Sequence, residues 1–182
     1  MEKLIAFGVL SIPIILLSWR TLFEVKSHGF YRFFSWECIL WLLVSNISYW
    51  YDDPFTLPQL VSWIFLFISV YLVISGVIQL KKGRTVQSRR DEKDLFPFEK
   101  TSGLVETGIY KYIRHPMYAS LLFLTWGIFL KQMTYLLLIT ALTSTVFLFL
   151  TALYDEKECI GFFGEKYTAY MKRTKRFVPF LW

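Results

Sequence analysis

The chain reads as an all-α integral membrane protein of about five transmembrane helices, the last two a tight helical hairpin, accompanied by a cytosolic loop and a C-terminal amphipathic helix. Three observations predict this class. Hydrophobic residues fill 55% of 182 positions and mean hydropathy is +0.44, more apolar than an ordinary soluble domain. Lys, Arg, Asp and Glu gather in a few segments and leave long stretches almost free of charge. Those stretches approach the roughly 20 residues that a membrane helix needs.

The first span covers residues 4–19 and is interrupted by Pro13, which membrane helices tolerate when neighbours satisfy the freed carbonyl. It lacks a small-x-small cleavage site, and Trp19-Arg20 suits an interfacial anchor better than the end of a secretory signal. The second span, 33–51, carries Glu37 near its start, and the third, 58–80, is the longest. Residues 117–130 and 135–153 form the fourth and fifth, joined by a tight connection around 131–134. At 1.5 Å per residue the fourth is about 21 Å long against a hydrocarbon core of roughly 30 Å, so the hairpin requires tilt or local thinning.

Segments 20–32, 81–116 and 154–182 hold three, nine and six of the twenty Lys and Arg residues. The opposite side has only Lys3 and Lys131, with the acidic pair Asp52-Asp53. The positive-inside rule predicts an N-terminus outside and a C-terminus in the cytosol, and the expected location is the inner membrane of a prokaryotic cell. The net charge of +6 follows from this topology and from attraction to anionic headgroups. Without a soluble basic domain no nucleic-acid partner is expected; the expected partners are membrane lipids and a lipophilic small-molecule acceptor. Cys38 and Cys159 fall in different environments, so neither a disulfide nor a metal site is expected.

No internal repeat is visible, and the chain divides near residue 81 into a three-helix membrane region, 1–80, and a polar-rich half, 81–182. Residues 81–100 are charge-dense, interrupted by an apolar stretch at 95–98 expected to dip into the interface. Over 155–176, Ile160, Phe163, Tyr167 and Tyr170 recur at helical spacing, predicting one amphipathic helix on the cytosolic face. Residues 177–182 are expected to pin into the interface, and the basic run 172–176 to anchor on headgroups.

The chemistry concentrates at one membrane boundary, where Arg114, His115 and Tyr118 precede the fourth span. A tight hairpin returns the chain to that boundary at Asp155 and Glu156, so both polar ends form one pocket. His115-Pro116 also reads as an ordinary helix start, with proline in the first turn and histidine as a cap. Glu158 reads as a solvated helix end, and Tyr110, Tyr112 and Tyr118 as belt aromatics.

Leu104-Val105, Gly108, Tyr110, Arg114-His115-Pro116, Tyr118, an acidic pair, then Phe163-Gly164, Tyr167 and Tyr170 together resemble the isoprenylcysteine carboxyl methyltransferase family, which is related to the membrane phospholipid methyltransferases. The resemblance covers roughly residues 81–182. It implies an enzyme using S-adenosylmethionine, with the cofactor enclosed by the loop, the hairpin and the C-terminal segment. By the same resemblance Leu104, Val105, Tyr110, His115, Pro116, Met117 and Tyr118 line the cofactor, and Asp155 stands where the family has a cofactor-contacting glutamate. Glu156 matches the second acid of the pair. Thr151 stands where prenylcysteine enzymes carry an arginine, which weakens the case for a prenylcysteine carboxylate as acceptor.

The residue inventory suits that cofactor: carboxylates hold its amino or ribose groups, and aromatic faces tolerate a sulfonium. No glycine-rich dinucleotide fingerprint is present. The catalytic candidates are Arg114, to orient an anionic acceptor or headgroup, and Glu156, the nearest base should the acceptor be an amine. The alternatives are an aminophospholipid N-methyltransferase, a non-enzymatic membrane protein binding lipid or a partner, and, more remotely, a nicotinamide-dependent membrane reductase.

Overall fold

The computed structural model describes residues 1–82 and 103–179. Within them lie six α-helices: α1 (Glu2–Ser18), α2 (His28–Asn46), α3 (Leu57–Lys82), α4 (Pro116–Phe129), α5 (Tyr135–Phe163) and α6 (Glu165–Arg173). Among the described residues no strand occurs, only one isolated parallel bridge between Ile113 and Lys175. The first, third and fourth helices begin and end close to the predicted spans. The second starts earlier, at His28, because Ser27 caps it: its hydroxyl oxygen accepts the Phe30 N–H at 3.3 Å. Thr134 does the same for α5, accepting the Leu137 N–H at 3.3 Å, and this makes the short α4–α5 connection possible.

One expectation is corrected. Residues 155–163 do not begin a separate amphipathic helix; α5 runs on through them to Phe163. Nothing between residues 153 and 163 breaks a helix, whereas Gly164 adopts φ 60° and ψ −134°, a region open to glycine but costly for other residues. The chain turns there, and the short amphipathic α6 folds back with Tyr167 and Tyr170 buried against Leu104, Phe163 and Cys159.

What the helices bury is mostly small or polar. On α3, Ser62, Ser69 and Gly76 recur every seven residues on the buried face, while Ile64, Phe67, Tyr71, Ile74 and Ile78 are exposed. On α5, Ala141, Ser144, Thr151 and Ala152 are buried, and Leu136, Ile139, Leu142 and Val146 point outward. Small residues let backbones approach closely, and bulky apolar side chains are left for the surroundings, as in helix packing within lipid. Among the described residues, α3 and α5 are each long and apolar enough to cross a membrane.

Hydroxyls stitch the interior. Ser62 donates to the Gly127 carbonyl at 2.7 Å, and Ser144 lies 3.1 Å from Ser35 and 3.3 Å from Thr125. At the end remote from Arg114, Lys131 is buried: its ammonium donates to Gln59 Oε1 at 2.9 Å and sits 3.9 Å from the Trp63 ring centroid. A cation there is held by an amide and an aromatic face.

At the other end the chain after α6 pairs with the segment before α4. Lys175 N–H donates to Tyr112 O at 3.0 Å, Arg114 N–H to Lys175 O at 2.8 Å, and His115 N–H to Arg176 O at 3.1 Å. This pairing draws Phe177 inward, where only 3% of it is exposed, against the His115 and Phe149 rings. Phe177 therefore packs within the protein instead of pinning into the interface. The expected dip at 95–98 and residues 180–182 lie outside the described residues.

Candidate active site

The cavity at this end is lined by Leu80 from α3, by Leu104, Val105 and Tyr110 before α4, by the run Arg114 to Tyr118, by Asp155, Cys159 and Phe163 of α5, and by Tyr167 and Tyr170 of α6. Its cavity volume is about 100 Å³, and the space opens outward at a wide mouth. Tyr170 donates to the Tyr110 carbonyl at 2.6 Å, which ties α6 across the loop. Burial pushes the Tyr167 and Tyr170 phenols up, so both stay neutral across the physiological range.

Each residue expected to contact a cofactor is therefore in one wall or another: Leu104, Val105, Tyr110, His115, Pro116, Met117, Tyr118 and Asp155. Asp155, Cys159 and Phe163 form a stripe at four-residue spacing on the inner face of α5. Leu80 and Cys159 were not singled out from sequence, although that spacing reaches Cys159.

Asp155 and Glu156 have different surroundings. Glu156 is absent from the lining and only 3% exposed. Its Oε1 accepts Arg114 Nε–H at 2.9 Å and Arg176 Nε–H at 3.0 Å, and lies 3.3 Å from His115 Nε2. Its Oε2 accepts Arg176 Nη2–H at 2.8 Å. The apolar run of α5 ends before these acids. Burial alone would raise this carboxyl, but the His115 and Arg176 hydrogen bonds, with the His115 and Arg114 charges, outweigh it and hold the group far below the usual carboxylate range. A carboxylate so depressed is a poor proton acceptor near neutrality, which runs against its use as a base.

Arg114 is occupied in the same way: besides Glu156, it donates to the carbonyls of Met171 and Thr174, securing the end of α6. His115 takes the N-cap position of α4 and its carbonyl accepts the Ala119 N–H at 2.9 Å, but its side chain makes no capping bond; Pro116 opens the helix. Its ring lies 3.5 Å from Asp155 Oδ2 through Nδ1 and stacks on Tyr118 at 5.3 Å. Burial acts to lower its pKa, but the bonds to Asp155 and Glu156 prevail and raise it.

Two further readings change. Glu158 is no solvated helix end: its Oε1 accepts the His28 backbone N–H at 3.0 Å and its Oε2 lies 2.6 Å from His28 Nδ1. His28 is fully buried, and its pKa is raised because that bond and nearby Asp155 outweigh burial. Potential donor atoms of His28, Asp155 and Glu158 fall within 4.8 Å of one another, but the His28–Glu158 pairing already engages two of the three side chains. Arg176, taken from sequence as part of a headgroup anchor, is instead bound inside by Glu156 and lies over the Phe149 ring at 5.0 Å. Thr151 is fully buried, bonded to the Phe147 carbonyl at 2.7 Å, and outside the cavity lining.

The phospholipid methyltransferase family matches residues 58–166, from α3 through the start of α6. The chain belongs to that family. Members of known activity resemble it in part. A methanethiol S-methyltransferase of Pseudomonas deceptionensis is 38% identical over 73 residues, 40% of this chain and 27% of that protein. One from Crocosphaera subtropica is 26% identical over 119 residues, 65% of this chain and 44% of its own length. Methanethiol S-methyltransferase 1 of Bradyrhizobium diazoefficiens is 24% identical over 144 residues, 76% and 48% respectively. The chain thus spans less than half the length of each of these relatives. No solved structure matches it. Arg176 and the strand-like pairing at Lys175 lie beyond the region the family matches.

Proposed function

We propose that this phospholipid methyltransferase family member is an S-adenosylmethionine-dependent membrane methyltransferase acting on a small, membrane-partitioned acceptor, with a thiol the favoured class. The observation that carries the reading is the cavity itself: loop, hairpin and α6 supply one carboxylate, four tyrosines and an apolar floor around a single space. That donor set fits a sulfonium zwitterion. Asp155 would hold an amino or ribose group, Tyr110, Tyr118, Tyr167 and Tyr170 would offer aromatic faces to a cation or purine, and Leu104, Val105 and Met117 would pack the remainder. When bound, S-adenosylmethionine supplies an electrophilic methyl group.

The chain's own residues would work by positioning and by excluding water. The Arg114–Glu156–Arg176 cluster ties α5, the segment before α4 and the chain after α6 together beneath the cavity. A thiol acceptor would react as the thiolate, its proton passing to solvent through the open mouth, and would form its bond to the methyl carbon as the S–CH3 bond of the sulfonium breaks. The residues' share is to hold that nucleophile in line within a rigid wall. The thiol class is favoured by the relatives' names, and Thr151, buried and uncharged, offers nothing to hold a carboxylate acceptor. The family's name supports a second reading, an aminophospholipid acceptor. We also propose that α1 to α5 each span the membrane, with the N-terminus outside and the cavity at the cytosolic boundary of a prokaryotic inner membrane.

Detergent-purified protein should bind S-adenosylmethionine and its demethylated product saturably in calorimetry. Transfer of radiolabelled methyl should then be strongest to a small thiol, compared with aminophospholipid vesicles and a farnesylcysteine analogue. Label appearing chiefly in the phospholipid would select the second reading. Absence of saturable binding to both cofactor forms would defeat the enzyme reading.

A further inference from the structure

We infer that Arg176 is a positioning residue of the cofactor site, holding the His115 ring against the cavity through the carboxylate of Glu156. The inference rests on the cofactor reading above for its functional consequence, and on geometry for the contact itself. One oxygen, Glu156 Oε1, is shared by Arg176 Nε at 3.0 Å, Arg114 Nε at 2.9 Å and His115 Nε2 at 3.3 Å. Among the described residues Arg176 alone also binds Oε2, at 2.8 Å, giving the two-pronged contact that sets the plane of a carboxylate. The plane of that carboxylate decides where Oε1 lies, and Oε1 is what His115 Nε2 faces.

The placement of Arg176 is itself determined on three sides. Its carbonyl accepts the His115 N–H at 3.1 Å, its guanidinium lies over the Phe149 ring at 5.0 Å, and its successor Phe177 packs its ring against that of His115 at 6.3 Å. Backbone and neighbour thus bear directly on His115 and the side chain bears on it through Glu156, while neither Arg176 nor Phe177 lines the cavity. A headgroup anchor would keep its guanidinium in water, as exposed Arg173 largely does with 60% of its side chain accessible; the Arg176 side chain is 19% accessible.

The charged groups facing His115 are Asp155 and Glu156 from α5, Arg114 beside it and Arg176 from the C-terminal segment; Tyr167 and Tyr170 of α6 share its cavity. Removing the Arg176 charge leaves the Glu156 carboxylate less neutralised, so its pull on a protonated His115 increases.

The test uses full-length protein in detergent with Arg176→Met and Arg176→Lys, first shown to be helical and monodisperse. Histidine ring resonances, assigned with His28→Gln and His115→Gln, report the His115 titration without cofactor; calorimetry reports binding of the demethylated cofactor. Arg176→Met should move the His115 midpoint upward and weaken binding about tenfold or more, equivalent to roughly 1.4 kcal/mol. Arg176→Lys, keeping charge without the two-pronged contact, should restore the midpoint more fully than the affinity. A wild-type midpoint and affinity in Arg176→Met would overturn the inference. Should the wild-type protein bind no cofactor, the proposed function falls, and the His115 ring position decides: loss of its ring-current shift from Tyr118 and Phe177 in Arg176→Lys as well as Arg176→Met supports the grip of Arg176 on His115, and a wild-type shift in Arg176→Lys overturns it.

Discussion

Adjacent acids do opposite work here. Asp155 faces the cavity, whereas Glu156 faces two guanidiniums and a histidine within the protein. Glu156→Gln leaves Arg114 and the half-buried Arg176 short of their counter-ion, and breaking a fully buried pair costs about 3–5 kcal/mol, an upper bound here. The expected result is a large fall in thermal midpoint. Asp155→Asn, which weakens a 3.5 Å contact with His115, should lower the midpoint less than Glu156→Gln does and reduce cofactor affinity; calorimetry and melting curves on both variants separate the two, and equal melting behaviour would refute the division. The charge cluster also sets a pH window. His115 has a raised folded pKa, so its contribution is fully present below the unfolded value of about 6.5 and is lost as pH rises through the folded value. Glu156, being depressed, contributes above its unfolded value of about 4.3 and loses that contribution only as pH falls through its folded one. The stability gap between wild type and His115→Gln should therefore be widest near pH 5–6 and shrink toward pH 9. A gap that widened with pH would contradict the assignment.

Among the elements, the break between α5 and α6 matters most to the cavity. Gly164 places α6 so that Tyr167 and Tyr170 close one wall, and its φ of 60° with ψ −134° is costly for a side-chain-bearing residue. No atom would obstruct an added methyl group, so the cost of Gly164→Ala comes from the backbone alone, about 1–3 kcal/mol. We expect a modest loss of stability and a clear loss of cofactor affinity, because the strain relaxes by moving α6. Retained affinity would mean α6 is held by Tyr170 and Arg114 regardless of the turn. The hairpin is pinned at its other end by Lys131 against Gln59 and Trp63. This explains how a buried cation is accommodated at the end where the positive-inside rule places few.

For the whole molecule, the antiparallel register brings both polar ends of the hairpin and the start of α2 to one pole. His28 at the start of α2 meets Glu158 near the end of α5 at 2.6 Å. In a protein stripped of Cys38 and Cys159, cysteines at Thr168 and at Thr56, both exposed, should label from opposite sides of sealed vesicles. Thr174 is unsuitable as a reporter because it is buried. Labelling of both from one side would refute the five-span arrangement and leave the cavity's cytosolic access without support.

Class, helix order and the meeting of residues 114–118 with 155–156 were legible in the chain itself, because each follows from local pattern. Long uncharged runs make membrane-type helices, and a short capped connection sends α5 back beside α4. The departures arose where direction or distance mattered. Successive side chains on a helix diverge by about 100°, so whether Asp155 or Glu156 faces the cavity depends on how α5 is rotated by its packing. That rotation comes from the small buried face of Ala141, Ser144, Ala152 and their partners on α2 and α4. His28 and Glu158 are 130 positions apart, and Arg176 reaches Glu156 only after the chain has turned at Gly164 and paired beside Ile113. Charge pairing depends on distance in space, and no periodicity along the chain records it. The sequence by itself determined which groups arrive at this pole; the tertiary structure decided which face a ligand and which brace one another.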